Sequence, residues 1–297
     1  MPENKSTHSE HSDHPAHAAH PAQKTSSSAT TYTLITEPDQ GLTAIYNLIS
    51  SAKKSIDMTM YELTDITVTS SLAKAAAAGV TVRVILDQND EKIANTPAYN
   101  HLAENKVGVH WANPAFAVIT NNAADVAAIE TTFDADFKNA SITPPTGDNL
   151  VWSPTNSRSA LTALINGATK SLLISQEEFD DTGMETALEA ALKRGVTVTL
   201  VQENQDAQYS TVLTALKKAA AKIAVYTSVD IKSYYIHAKT VLADYGTAHA
   251  RLFLGSENFS ADSLDKNREL GIIFSDAACM EGVNAAIMKD FKGGAAF

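Results

Sequence analysis

The chain has 297 residues, with 23 Lys and Arg against 34 Asp and Glu, a formal net charge of −11, and 44% hydrophobic residues. That length accommodates two domains of ordinary size and a core that needs no covalent staple. A single cysteine, Cys279, excludes an internal disulfide and every Cys-pair zinc pattern. No apolar run is long enough for a membrane helix, and the acidic balance excludes a general nucleic-acid coat protein while leaving a local basic cleft open.

From Met1 to Thr31 there is no aromatic residue and no apolar periodicity. Residues 1–31 therefore read as a disordered tail, unable to bury enough surface to offset its ordering entropy. Histidine recurs there at every third position, as His8, His11, His14, His17 and His20. The expected role is a solvated spacer, with weak chelation of zinc, copper or nickel as the alternative. No basic segment leads into an apolar one after Met1. The expectation is a soluble protein, cytoplasmic as written, or periplasmic or secreted if a leader precedes Met1.

Self-similarity organises the remainder. Setting "LISSAKKSI" (Leu48 to Ile56) on "LINGATKSL" (Leu164 to Leu172) places Ser55 on Ser171, an offset of 116. The same offset places Glu62 on Glu178, the "GVTV" from Gly79 on that from Gly195, and "KVGV" from Lys106 on "KIAV" from Lys222.

Each copy reads as helix, strand, helix, strand, helix, strand. The first helix is predicted over Gly41 to Lys53 and again over Arg158 to Thr169, followed by strands over Ser55 to Tyr61 and Ser171 to Glu177. An Ala-rich helix (Ser70 to Ala78, Glu185 to Arg194) ends at a C-cap glycine, Gly79 or Gly195. β-branched strands follow, Val80 to Leu86 and Val196 to Val201. Trp111 and Trp152 read as core or linker packing. The prolines and glycine of "SITPPTGD" (Ser141 to Asp148) make residues 141–150 the linker between repeats at 32–140 and 151–297. The predicted fold class is α/β, as two tandem α/β/α sandwich repeats with mixed, largely parallel sheets.

After Trp111 the register changes. "FAVITNNAA" (Phe116 to Ala124) matches "LGIIFSDAA" (Leu270 to Ala278) at an offset of 154. The first repeat thus lacks 38 residues that the second has, between about Ser228 and Glu269.

Those extra residues hold the densest polar constellation. In "YYIHAKTVLADYG", His237, Lys239 and Asp244 form HxKxxxxD, and on a strand His237 and Lys239 project from one face. An imidazole beside an ammonium suits a phosphate: the lysine neutralises a non-bridging oxygen while the histidine attacks phosphorus or protonates a leaving oxygen. "GSEN" follows, with Ser256 and Asn258 as small phosphate donors, and then "NREL", whose Glu269 is placed to fix the tautomer of a histidine. Glu62 and Glu178 are candidates to line the cleft. His101, His110 and His249 read as surface or strand-end residues.

"HAKTVLAD", "GSEN" and "NREL", together with the duplication, resemble the HKD motif and two-fold repeat of the phospholipase D superfamily, over roughly Tyr32 to Phe291. The resemblance implies metal-free phosphodiester chemistry through a phosphohistidine. It makes His237 catalytic, Lys239 and Asn258 phosphate-binding, Ser256 a neighbour of the phosphate, Glu269 the carboxylate that orients histidine, and Asp244 the motif's structural acid. It also marks a departure, because the 38 residues missing from the first repeat would carry its own HKD motif, and no HxK occurs between Tyr32 and Trp152.

Three readings follow: a homodimer that brings two His237 together, a phosphodiester binder without turnover, or a deletion within a family of ordinary enzymes. The substrate expected first is a phosphatidyl lipid. The rival is a nuclease, which needs Lys232, Lys239, Arg251, Lys266 and Arg268 gathered around the cleft. A phosphate-binding or metal-scavenging protein built on the His-rich tail is the non-enzymatic alternative.

Overall fold

The computed structural model describes residues 29–36, 39–88, 91–112, 120–228 and 234–297. The His-rich tail through position 28, the segment "NPAF" (Asn113 to Phe116) at the change of register, and Lys232 lie outside the described residues.

The first repeat runs α1 (Thr43–Ser51), β1 (Ser55–Met60), α2 (Ile66–Ala77), β2 (Thr81–Asp87), α3 (Lys92–Glu104), β3 (Gly108–Ala112), α4 (Ala123–Phe137). The second opens with β4 (Leu150–Ser153) and repeats the order with α5 (Ser157–Gly167), β5 (Ser171–Gln176), α6 (Thr182–Lys193), β6 (Thr197–Glu203), α7 (Ser210–Lys218) and β7 (Lys222–Tyr226). It continues through β8 (Lys239–Ala243), β9 (Arg251–Gly255), α8 (Ala261–Asp265), β10 (Glu269–Phe274), α9 (Ala277–Gly293) and β11 (Ala295–Ala296).

The helix after each first strand begins three or four residues earlier than its apolar pattern predicts. Aspartate caps cause this: Asp65 accepts from Thr67 and Val68 N–H, and Asp181 accepts from Met184 N–H. Gly79 and Gly195 end these helices at φ +90 and +87, in the left-handed region that glycine enters without cost. The later offset of 154 holds as well, since Asn122 caps α4 at Asp125 N–H and Asp276 caps α9 at Cys279 N–H.

β1, β2 and β3 form a parallel three-stranded sheet in that order, while the second repeat builds an eight-stranded sheet ordered β11-β7-β6-β5-β8-β9-β10-β4. β5, β6 and β7 are parallel, as helical crossovers require. The strands added after β7 are antiparallel, β8 on β5, β9 on β8 and β10 on β9, and β4 closes the edge against β10. The sheet is covered on both faces. One core layer contains Leu161, Leu188, Leu200 and Phe253 beneath α5, α6 and α7; the other contains Leu173, Leu242, Val283 and Ile287 beneath α9.

The first sheet is covered differently. Leu72, Val84, Leu86 and Leu102 fill one face against the helices, while the other carries Arg83 on β2. Its guanidinium bonds Asp57 of β1 and Asp134 of α4 and lies 4.9 and 5.5 Å from the ring centres of Phe133 and Phe137. At the offset of 116 the positions of Asp57 and Arg83 are Leu173 and Thr199. An ion pair stands in the first copy where the second copy has two uncharged residues. α4 also reaches the second sheet, with Ala128 packed beside Leu150, Trp152 and Leu270.

Asp244, at the end of β8, ties that strand to the turn between α5 and β5. It is 2% exposed and accepts from the N–H groups of Thr169, Lys170 and Ser171 at 2.7–3.0 Å and from Thr169 Oγ1 at 2.9 Å. Burial raises its carboxyl pKa, but these donors outweigh burial and leave it below the ordinary value. Asp244→Ala leaves three backbone donors unpaired and is expected to cost about 3 kcal/mol of unfolding free energy in urea titration. The stabilisation is fully present above the unfolded pKa of ~3.9 and is lost as pH falls toward the lower folded value. A wild-type-like midpoint in the variant at pH 7 would refute the clamp.

Candidate active site

The site lies where β5 and β9 end and where β8 and β10 begin. β8 pairs with β5 in the register Ser175 to Thr240, which brings the start of β8 beside the residues that follow Gln176. The loops after β5 and β9 are stitched together: Phe259 N–H donates to the Glu178 carbonyl, Asp180 and Asp181 N–H donate to the Phe259 carbonyl, and the Phe179 and Phe259 rings meet edge to face at 5.2 Å. The Glu178 N–H donates to Asn258 Oδ1 at 3.2 Å, which turns the Asn258 amide nitrogen toward Glu177.

His237 and Lys239 do converge, although only Lys239 lies in β8. His237 stands in the lead-in, with its side chain 63% exposed against 8% for Lys239. Glu203, buried at the end of β6, anchors that lead-in by accepting from Ser228 N–H and Oγ at 2.9 Å and from Ile236 N–H at 3.2 Å.

The centre of the cluster is a residue that the sequence reading passes over. Glu177 Oε2 accepts from Lys239 Nζ, lies 3.2 Å from His237 Nε2, and is 3.4 Å from Asn258 Nδ2. Its other oxygen accepts from Tyr235 Oη, and the Tyr235 ring stacks on the His237 ring at 5.6 Å. Burial pushes the Glu177 carboxyl up, but His237 and Lys239 reverse that and hold it down, at about 2. The pair of acids that the repeat aligns, Glu62 and Glu178, lie one residue further along; the position aligned with Glu177 is Tyr61.

Glu269 is a correction. The expectation makes it the carboxylate on His237, yet its Oε1 accepts from Ser263 Oγ at 2.7 Å and Asn267 Nδ2 at 3.2 Å. Ser263 Oγ in turn accepts from Asn258 N–H at 2.7 Å. Glu269 therefore braces the Asn258 loop, and the carboxylate beside the imidazole is Glu177. The cause is strand order: Glu269 opens β10 opposite Ser153 of β4, and β9 lies between β10 and β8. Ser256 also turns toward β10, exchanging hydrogen bonds with the Leu270 backbone. Asp244 sits at the far end of β8 as the structural acid described above.

Glu257, inside "GSEN", is fully buried, and neither carboxyl oxygen has a hydrogen-bond partner among the described residues. Its Oε2 lies over the paired glycines Gly255 and Gly271, where a Cβ on Gly255 would come within 2.3 Å of it. Burial first, and then the nearby Glu269, push its pKa well up. Among the described residues no group of three or more His, Cys, Asp and Glu is arranged to hold a metal ion, and no helix is long and apolar enough to cross a membrane.

A carboxyl group whose folded pKa is raised binds more protons in the folded state, so it destabilises the fold as pH rises above its unfolded pKa. Wild-type stability should therefore fall relative to Glu257→Gln by ~1.4 kcal/mol per pH unit, starting near ~4.3 and continuing to the folded pKa. Parallel urea titrations of the two proteins from pH 4 to 8 measure this. A stability difference independent of pH would show that Glu257 is not held protonated.

The family described as "Cardiolipin synthase, PLD-like domain" matches residues 45–130 and 161–292. No curated protein matches the chain. Among solved structures, polyphosphate kinase from Porphyromonas gingivalis is similar with a TM-score of 0.62 at 15% identity, over 88% of this chain and 50% of that one, so this chain spans half of that protein. Phosphatidylserine synthase from Haemophilus influenzae Rd KW20 is similar with a TM-score of 0.58 at 11% identity, over 86% of this chain and 84% of that one. Nuc, a phospholipase D family member from Salmonella typhimurium, aligns with 50% of this chain and 95% of its own at 21% identity, with a TM-score of 0.44. With the family matched across both repeats, and with His237, Lys239 and Asn258 gathered at one sheet end, the chain belongs to the phospholipase D superfamily.

Proposed function

We propose that the protein is a phospholipase D-type phosphodiesterase that acts on phosphatidyl lipids through His237. One observation carries the reading: His237 Nε2, Lys239 Nζ and Asn258 Nδ2, the three groups the motif assigns to a phosphate, converge on a single anionic oxygen. In the reaction, His237 Nε2 forms a bond to phosphorus as the bond from phosphorus to the headgroup alcohol breaks. Lys239 and Asn258 neutralise the non-bridging oxygens. Water then breaks the phosphorus–nitrogen bond and regenerates the imidazole. The proton for the departing alcohol comes from His237 of a second copy, because the first repeat has no HxK of its own.

The charges around the site favour a lipid over a long nucleic acid. Arg268 is paired with Asp136 of α4 at 3.3 Å, and Lys266 with Asp262. Arg251 opens β9, at the end of the strand away from Gly255 and the site. No stripe of unpaired cations tracks away from Lys239 among these residues, as several backbone phosphates would need. Beside His237 the surface instead carries the half-exposed rings of Tyr234 and Tyr235, and the family's own description names a phospholipid synthase.

The test is turnover of fluorescent phosphatidylcholine and phosphatidylglycerol vesicles beside single-stranded DNA, with His237→Ala as control. Lipid turnover that falls at least ~100-fold in the variant is expected. It should also fall on dilution to the point where light scattering shows only monomer. Cleavage of DNA but not lipid favours the nuclease. Anion binding without turnover of either substrate favours a binder, which the missing first motif would explain.

A further inference from the structure

We propose that Glu177 is a built-in occupant of the phosphate seat, and that a substrate phosphodiester binds only by displacing its carboxylate. The inference rests on the phosphodiester reading above and adds to it a mode of control by an anion of the chain itself.

The geometry makes the two anions exclusive. Glu177 Oε2 already takes the donors of His237, Lys239 and Asn258, and Oε1 takes Tyr235 Oη. A phosphate oxygen on the same three donors would stand in the place of Oε2. An arrangement that kept both would set two negative charges in contact in a half-buried site, where like charges are weakly screened.

The internal repeat supplies a second, independent observation. Where the second copy has Glu177, the first copy has Tyr61, neutral and 39% exposed, in a repeat without an HKD motif. The acid is found in the copy that has a cationic seat. Displacement needs no change of fold: Glu177 lies just beyond the last residue of β5, its side chain swings about its own torsions, and the exposed His237 ring moves with it.

A carboxylate that merely positioned Lys239 and His237 gives the opposite result when removed, so the two roles separate experimentally. Tungstate, a non-hydrolysable phosphate analogue, is titrated by calorimetry at pH 7 into the full-length wild type, Glu177→Gln, Glu177→Ser and Lys239→Met, with each protein's folding checked by circular dichroism. Occupancy predicts binding at least about tenfold tighter in both Glu177 variants than in wild type, and binding lost in Lys239→Met. Equal or weaker binding in both Glu177 variants, with Lys239→Met still losing it, overturns the occupant and leaves the phosphate seat intact. Tungstate binding that is absent throughout, or unaffected by Lys239→Met, overturns the phosphodiester reading and the occupant together.

Discussion

The antiparallel pairing of β8 on β5 is the constraint on which the site depends. At one end of β8, Asp244 is fixed by the three N–H groups of the turn that enters β5. At the other, Lys239 reaches the carboxylate that follows β5. The clamp and the seat are two ends of one strand, so the clamp sets the register. A slip of one residue would send Lys239 to the opposite face, under α9, and leave Glu177 without its cation. That explains why the motif spaces lysine and aspartate five residues apart: the interval is the length of a strand that crosses the sheet once.

Much of this is legible in the sequence because the protein states its architecture twice. Blocks at a constant offset locate the helices and parallel strands, and the jump from 116 to 154 locates an absence. The helix starts differ from the apolar pattern because that pattern reports burial, whereas the start is set by Asp65 and Asp181, caps that align between the two copies. Glu177 escapes the repeat pattern for the converse reason. Attention to matched pairs selects Glu62 and Glu178, yet a repeat keeps in common what folds it and differs where only one copy does chemistry. The informative position is the mismatch, Tyr61 against Glu177. The resemblance assigns Glu269 to histidine, whereas its hydrogen bonds place it on Ser263 and Asn267, a contact that no periodicity reports.

Buried acids outnumber cations at this end of the sheet, and each is handled in its own way. Glu177 stays ionised because His237 and Lys239 are beside it. Glu203 is satisfied by backbone and hydroxyl donors. Glu257 is fully buried, and burial pushes its pKa well up. The three carboxyl groups lie on different strands or loops, and none shares a donor with another. Lys239 thus remains the local cation for whichever anion holds the seat.

The first repeat contributes to this end of the molecule without building the seat. α4 packs on the β4 and β10 edge and pairs Asp136 with Arg268, while Glu177, His237, Lys239 and Asn258 all come from the second repeat. The first repeat has no HxK, so the donors that meet on Glu177 belong to the second repeat alone. A buried lysine with no opposing charge would be desolvated without compensation, and Glu177 supplies that charge to Lys239 from within the chain.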